Sequence, residues 1–192
     1  MLKIIPRSGW VSHGIALPDV ESVAEHSYST SALAMYLADI EMARGRRLDL
    51  ERVLRLALLH DLAETLTFDI SKSYLEYLGR RGEHIKREVE QAAWNHIIKS
   101  IENASIRKHY SMLMAEYNAG ITSESKIVHA ADRLDILFQI ISYHHEGYPR
   151  AMLRDLWVST NRTLSRTKLE SVRELRKKAL QSYRSAIAEL TN

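Results

Sequence analysis

The sequence contains no cysteine, and it has only 7 glycines and 3 prolines among its 192 residues. The lack of cysteine excludes disulfides, zinc fingers and thiolate chemistry, so any metal ion must be held by histidine, aspartate or glutamate. No apolar run is long enough to cross a bilayer, and the opening residues MLKIIPRSGW lack the apolar stretch of a signal peptide. We therefore expect a cytoplasmic protein without membrane contact.

Composition and charge predict one globular domain. Hydrophobic residues make up 45% of the chain and charged residues 27%, which is enough apolar material for a sizeable core. The net charge of +3 favours anionic partners such as phosphates, but it is too small to predict nucleic-acid binding. Because β-branched runs are also scarce, we expect an all-α fold, with residues 1–192 forming a single helical bundle.

Helical periodicity divides the chain into segments whose ends are marked by capping residues. Ser22 with Glu25 reads as a capping box, Gly45 as a helix stop and Asp49 as the next N-cap. The predicted helices are 23–44, 50–63, 83–102, 104–118, 123–145, a short one at 149–158, and a charged final helix at 166–190 that docks on the body of the protein.

The segment LRLALLHDLAET, residues 54–65, is almost wholly apolar but carries His60 and Asp61 side by side. Burying a neutral polar group without a hydrogen-bond partner costs on the order of 2–7 kcal/mol, and burying an unpaired carboxylate costs more. Asp61 therefore needs a partner if it is buried. A cation is one such partner. Both side chains face one pocket if the helix ends or bends at this point.

Two other segments offer further metal ligands. His26 lies in VAEHSYS, and Asp132 lies in KIVHAADRLDILF. With His60 and Asp61 they would form a set of two imidazoles and two carboxylates, leaving positions for water and substrate. The alternatives are that the histidines are hydrogen-bonded core residues and that Asp132 forms an ion pair with Arg133.

The motifs EHS, LLHDLAE and AADRLD, in this order, resemble those of the HD-domain metal-dependent phosphohydrolases, and within them the 5′-deoxynucleotidase branch. RSGW, LALLHDLAETLTFDI, EYNAGITSESKIVHAADRLD and LRDLWVST extend the resemblance over about residues 4–160. It implies a single HD domain, with a metal-site core at about 20–145, and a homodimer. It also implies that His26, His60, Asp61 and Asp132 bind one divalent ion, either Mn, Co, Ni, Fe, Zn or Mg.

Two carboxylates after the HD pair are candidates for catalysis. Glu64 lies four residues after His60 and three after Asp61, on the same side of a continuing helix, and the resemblance supports an active role over a surface position. Asp69 completes HDxxExxxxD, to align water or to touch the sugar, with a helix N-cap as the alternative. Members of the family often have glycine before this aspartate. Because Phe68 disfavours positive φ, we expect the turn to differ here.

Four residues are candidates for substrate binding. Arg7 can grip a phosphate through paired donors, and Trp10 can pack on a sugar or base, although alone they would pass for a surface arginine and a core tryptophan. The resemblance of RSGW to the family favours the substrate role. Lys126 and Lys72 are phosphate candidates, with capping or pairing to Glu124 as the alternative for Lys126.

The resemblance implies an enzyme that hydrolyses 2′-deoxyribonucleoside 5′-monophosphates to deoxynucleoside and phosphate. One alternative is another HD activity, on cyclic nucleotides or nucleoside triphosphates. Another is a non-catalytic module that binds nucleotides or nucleic acid through the basic final helix. The complete ligand set and Glu64 argue against the non-catalytic alternative.

Overall fold

A computed structural model of the chain describes residues 1–189, apart from the side chains of residues 72, 73 and 186–189. Within these residues there is no β-strand, and the extended pairing there is an isolated antiparallel bridge between Pro6 and Ser22. The all-α prediction is therefore confirmed. None of the described helices is long and apolar enough to span a membrane.

Seven of the described helices correspond to predicted ones and lie within about three residues of the predicted bounds except at three ends, whereas three short helices were not predicted. The helices are α1 (Ser8–Ser12), α2 (Val23–Ala43), α3 (Leu50–Leu59), α4 (Glu64–Thr67), α5 (Lys72–Glu76), α6 (Arg80–Lys99), α7 (Ala104–Ala119), α8 (Ser123–His145), α9 (Arg150–Ser165) and α10 (Glu170–Glu189). Single 3₁₀ turns, Leu2–Ile4 and Leu17–Asp19, flank α1. Against prediction, α3 ends at Leu59, α9 extends to Ser165, and α10 begins at Glu170.

The chain divides into two compact units. The first consists of Met1–Tyr28 and Leu58–Ala119, and the second of Ser29–Ala57 and the chain from Gly120 onward. In the first unit, α6 and α7 pack around a core of Trp94, Ile98 and Met114, which is partly covered by Leu59 and Leu62. Asn103 begins α7, since its Oδ1 accepts the amides of residues 105 and 106 at 2.9 and 3.1 Å.

The second unit is built on α8, with α9 and α10 packed against it and against each other. Its apolar side chains recur at helical spacing and are almost wholly buried, among them Ile127, Leu134, Leu137, Ile140, Leu153, Trp157, Val172 and Ala179. The rings of Trp157 and Tyr183 stack with centroids 3.7 Å apart, which joins α9 to α10.

Candidate metal centre

Capping interactions at the start of α2 position His26. The Glu25 carboxylate accepts from the Ser22 amide at 2.6 Å and from its hydroxyl at 2.7 Å, while Ser22 Oγ accepts the Glu25 amide at 3.2 Å. This is the predicted capping box, and the bonds from Ser22 lower the pKa of Glu25. The His26 amide then donates to the Ser22 carbonyl at 3.1 Å. His26 is therefore held on the first turn, with no exposed surface.

The end of α3 places His60 and Asp61. After Leu59 the chain tightens into successive i→i+3 turns, in which Leu62 N donates to Leu59 O at 3.1 Å and Glu64 N donates to Asp61 O at 3.0 Å. In such turns residues three apart eclipse each other, which places Asp61 and Glu64 on one side. The helix therefore ends where the apolar segment carries its two polar residues.

Three potential ligand atoms of the first unit converge on one point. His26 Nε2 lies 3.4 Å from His60 Nε2 and 3.5 Å from Asp61 Oδ2, and His60 Nε2 lies 3.3 Å from the same oxygen. Ligand atoms around an ion bound at about 2.1 Å lie roughly 3.0–3.5 Å from one another, so these spacings fit a divalent metal ion. Two facing ring nitrogens and a carboxylate also form a donor set that a cation satisfies. This is a cluster that could hold a metal ion.

Arg7 shares the carboxylate of Asp61. Its Nη1 donates to Asp61 Oδ2 at 2.9 Å, and the two side chains are 15% and 17% exposed. Burial on its own would raise the pKa of Asp61, but the charges of His60, Arg7 and His26 and the His60 hydrogen bond outweigh it and hold the pKa well below its usual range. Asp61 is therefore ionised, as a metal-binding carboxylate must be.

Glu64 is a buried carboxyl group with one oxygen unused. The residue is 6% exposed, and its Oε2 has no hydrogen-bond partner. Burial and the negative charges of Asp61 and Asp69 raise its pKa strongly above the usual value. The structure thus places two carboxyl groups of opposite protonation tendency three residues apart, an arrangement common in hydrolytic sites.

Asp69 is engaged with the first turn of α1. Its Oδ2 accepts the Ser8 amide at 2.7 Å, and its carbonyl accepts the Ser8 hydroxyl. Phe68 and Asp69 both have positive φ, 59° and 43°. The expectation that Phe68 would avoid this conformation is wrong: Phe68 is 61% exposed, and its left-handed turn carries Asp69 toward α1.

Trp10 lies inside the first unit, where it is 3% exposed and its Nε1 donates to Glu21 Oε1 at 2.7 Å. Lys72, a predicted phosphate contact, has a side chain outside the described residues. Asp132 and Lys126 both lie on α8 in the second unit. Asp132 is partly buried with Arg133 Nε at 3.8 Å, and Lys126 is exposed. The roles suggested by the sequence for these four residues stay predictions.

Sequence reasoning missed several residues around the cluster. Tyr117 packs its ring against His60, with centroids 5.8 Å apart. Ser8 and Lys86 hold the loop that contains Asp69, since Lys86 Nζ donates to the Ile70 carbonyl at 3.0 Å. Nothing in the sequence distinguished Lys86 from the many other charged residues on the same amphipathic helix. Ser8, within RSGW, was a residue that the motif itself could have marked.

Comparisons with known proteins agree with this architecture. The HD-domain family model matches residues 1–174. The 5′-deoxynucleotidase HDDC2 of Danio rerio is 34% identical over 160 residues, covering 83% of this chain and 72% of the relative. The protein of the same name from Xenopus laevis is 29% identical over 188 residues, covering 98% and 85%.

A solved structure gives the same result for the fold. The crystal structure of a protein from Pyrococcus horikoshii is similar with a TM-score of 0.77 at 27% identity, covering 94% of each chain. The family match extends over nearly the whole sequence and includes every residue of the cluster. The chain belongs to the HD-domain family.

Proposed function

We propose that the protein is a metal-dependent 5′-deoxynucleotidase, which hydrolyses 2′-deoxyribonucleoside 5′-monophosphates to deoxynucleoside and phosphate. The observation that carries the proposal is the convergence of His26 Nε2, His60 Nε2 and Asp61 Oδ2 within 3.5 Å of one another. The names of the relatives, 5′-deoxynucleotidase in both vertebrate proteins, support the substrate class.

His26, His60 and Asp61 are proposed to hold one divalent ion, and Asp132 stays the fourth ligand that the family resemblance of the sequence implies. Nitrogen and carboxylate donors suit Mn²⁺, Co²⁺, Ni²⁺, Fe²⁺ or Zn²⁺, and Mg²⁺ remains in the set. When bound, such an ion supplies a Lewis acid that polarises a phosphoryl oxygen and lowers the pKa of water. Two aspartates balance its charge, and this leaves the centre tolerant of a dianionic phosphate.

Arg7 is proposed to bind the phosphate. Its guanidinium touches the carboxylate of Asp61 at 2.9 Å, so it lies at the edge of the donor set, where a phosphate would arrive. A guanidinium has five N–H donors in a planar fork, a geometry that matches the oxygens of a phosphate. Arg7 therefore neutralises charge and orients the ester at the same time.

Glu64 is proposed to deliver a proton to the departing 5′-oxygen or to orient the attacking water. Its position one tight turn after Asp61 and its unpartnered Oε2 support this role. The catalytic role predicted for Asp69 stays a prediction, since its carboxylate holds α1. Trp10 would act on the sugar only through its neighbours, because its ring is buried.

A panel of nucleotides tests the proposed function. Purified protein is incubated with Mn²⁺ or Co²⁺ and the deoxyribonucleoside and ribonucleoside 5′-monophosphates, and inorganic phosphate is measured. We expect turnover of the deoxy series and little of the ribo series. Equal turnover of both would remove the sugar selectivity, and pyrophosphate or triphosphate released from nucleoside triphosphates would favour the other HD activity instead.

A homodimer and a cytoplasmic location complete the proposal. The homodimer is a prediction from the resemblance of the sequence to the HD-domain phosphohydrolases. Light scattering during gel filtration should give twice the 22.1 kDa mass of the chain. The location stays a prediction from the sequence, to be checked by fractionation of cells.

A further inference from the structure

Helix α1, which follows Arg7, is tied at two points to the loop of residues 68–71. Near its start, the Ser8 amide donates to Asp69 Oδ2 at 2.7 Å. At its end, Ser12 Oγ lies 3.3 Å from Ser71 Oγ, within hydrogen-bond distance. Since Arg7 is the N-cap residue of α1, the loop sets where the arginine stands relative to Asp61.

The backbone of this loop is in a conformation that its own residues do not favour. Phe68 and Asp69 both have positive φ, a conformation that is unfavourable for residues other than glycine. Its geometry must therefore be held by contacts from outside. The described contact that does so from α6 is Lys86, whose Nζ donates to the Ile70 carbonyl at 3.0 Å and lies 3.4 Å from Glu90 Oε1.

We propose that Lys86 is a positioning residue for phosphate binding, acting through Ile70, Asp69 and Ser8 on Arg7. The inference rests on the proposed function, because it assumes that Arg7 binds the substrate phosphate. Lys86 touches neither Arg7 nor the three converging ligand atoms in any described contact. Its side chain is 20% exposed, so the bond to Ile70 is a partly buried, charge-assisted one.

The chain of contacts is continuous and lies wholly in the first unit. Lys86 fixes the carbonyl next to Asp69, Asp69 accepts from Ser8, and Ser8 follows Arg7. Glu90, one turn along α6, keeps the ammonium directed along this path. Removing the ammonium leaves the left-handed turn free to relax and α1 free to shift, which displaces the guanidinium from the phosphate.

The test compares Lys86→Met with Lys86→Arg and a control. Lys99→Met removes an exposed ammonium from the same helix. With a deoxynucleoside monophosphate and Mn²⁺, we expect Lys86→Met to raise KM about 10-fold and to change kcat less than about 3-fold, because phosphate binding is lost more than chemistry. Lys86→Arg should restore KM to within about 2-fold, and Lys99→Met should change neither constant.

A double-mutant cycle separates positioning from general stability. In the Arg7→Ala background, Lys86→Met should reduce kcat/KM by less than about 2-fold, because the residue it acts through is gone. The same 10-fold loss in both backgrounds overturns the proposal. Should Lys86→Met fail to fold by circular dichroism, Lys86→Gln takes its place in the cycle, with the same criteria.

Hydrogen exchange gives a readout that needs no activity. The Ser8 amide, which donates to Asp69, should exchange faster in Lys86→Met than in wild type and be unchanged in Lys99→Met. Unchanged exchange at Ser8 overturns the proposal even if KM rises. If wild type hydrolyses no nucleotide, the proposed function fails, while exchange at Ser8 still decides whether Lys86 holds α1.

Discussion

At the scale of single residues, one oxygen atom, Asp61 Oδ2, lies close to three other polar side chains of the candidate centre. Asp61 Oδ2 faces His26, His60 and Arg7 at 3.5, 3.3 and 2.9 Å. The same oxygen is therefore a proposed metal ligand and the anchor of the proposed phosphate-binding residue. Because Asp61 is shared in this way, binding of the ion and binding of the phosphate are expected to be coupled through it.

At position 68, the glycine variant is expected to be more stable than the alanine variant. Phe68 has a φ of 59° and a ψ of 44°, in the left-handed region, and its side chain is 61% exposed. Alanine keeps the Cβ that makes this conformation costly, whereas glycine removes it. Urea unfolding should show Phe68→Gly more stable than Phe68→Ala by about 1 kcal/mol, the reverse of the order found in helices. The usual order, with alanine ahead, would contradict a left-handed turn here.

The sequence predicted the polar centre better than its surroundings. His60 and Asp61 stood out because an apolar helix rarely carries two adjacent ionisable groups, and the structure brings His60 Nε2 to 3.3 Å from Asp61 Oδ2. Asp69 and Ser8 were not paired in advance, because their contact depends on two consecutive positive φ angles. Such backbone angles follow from the surrounding contacts, which a single sequence does not reveal.

At the scale of elements, helix ends departed from prediction where tertiary contacts outweighed local preference. The predicted helix ended at 158, and residues 159–165, which follow it, are rich in Ser and Thr. Thr160 and Leu164 nevertheless continue the buried face of Leu153 and Trp157 at helical spacing, so burial extends the helix to Ser165. At α3 the opposite holds, since the apolar pattern continues past Leu59 but the backbone tightens there.

The start of α10 depends on a residue 130 positions away. Glu41 on α2 is 3% exposed, and its Oε1 accepts the Ser171 amide at 3.0 Å and the Ser171 hydroxyl at 2.6 Å. Ser171 lies in the first turn of α10, so Glu41 satisfies a helix N–H from outside the helix. Nothing in the local sequence predicts this cap, which explains why the predicted start at 166 is wrong.

Glu41→Ala should lower the free energy of unfolding by about 2–3 kcal/mol, because it leaves two buried donors of Ser171 unpaired. Urea unfolding at pH 7 measures the loss. Glu170→Gln is the matched control, since Glu170 lies in the same turn but is exposed and contacts Arg173. A Glu170→Gln loss as large as that of Glu41→Ala would argue against the cap.

The same carboxylate gives stability a pH dependence. Burial would raise the pKa of Glu41, but hydrogen bonds from Ser171 and the charge of Arg46 outweigh it and lower the pKa below its ordinary value of 4.5. The stabilisation is thus complete above pH 4.5 and is lost as the pH falls through the lower folded value. Unfolding between pH 7 and pH 3 should show a smaller decline for Glu41→Gln than for wild type. Parallel declines would contradict this linkage.

Gly82 should not tolerate a methyl group. A Cβ built there would press on the Leu75 carbonyl and lie 2.9 Å from Leu75 Cβ, so α5 and α6 meet at a glycine. Alanine favours a helix over glycine by about 1 kcal/mol, yet Gly82→Ala is expected to lose about 1–3 kcal/mol through the clash. Gly9→Ala on α1, where a Cβ meets nothing within 4 Å, should lose nothing in the same urea titration. Equal effects at the two glycines would refute the close contact.

At the scale of the whole molecule, each unit is assembled from two separate parts of the sequence. The HD motif, residues 60 and 61, comes soon after the chain returns to the first unit at Leu58. His26 precedes the departure from that unit by only a few residues. The three converging side chains are thus brought together only when the chain has folded, and an unfolded chain offers no comparable site.

Metal binding should therefore stabilise the folded chain as a whole. An ion present at about 100 times its dissociation constant adds about 2.7 kcal/mol, which corresponds to a rise in Tm of about 5 to 10 °C for a chain of this size. Thermal unfolding of metal-free protein with and without added Mn²⁺ measures the shift. Asp61→Asn should abolish most of the rise, whereas Asp155→Asn, which alters an exposed aspartate on α9, should keep it. A full rise in Asp61→Asn would mean that the ion binds elsewhere, and the proposed ligand set would be wrong.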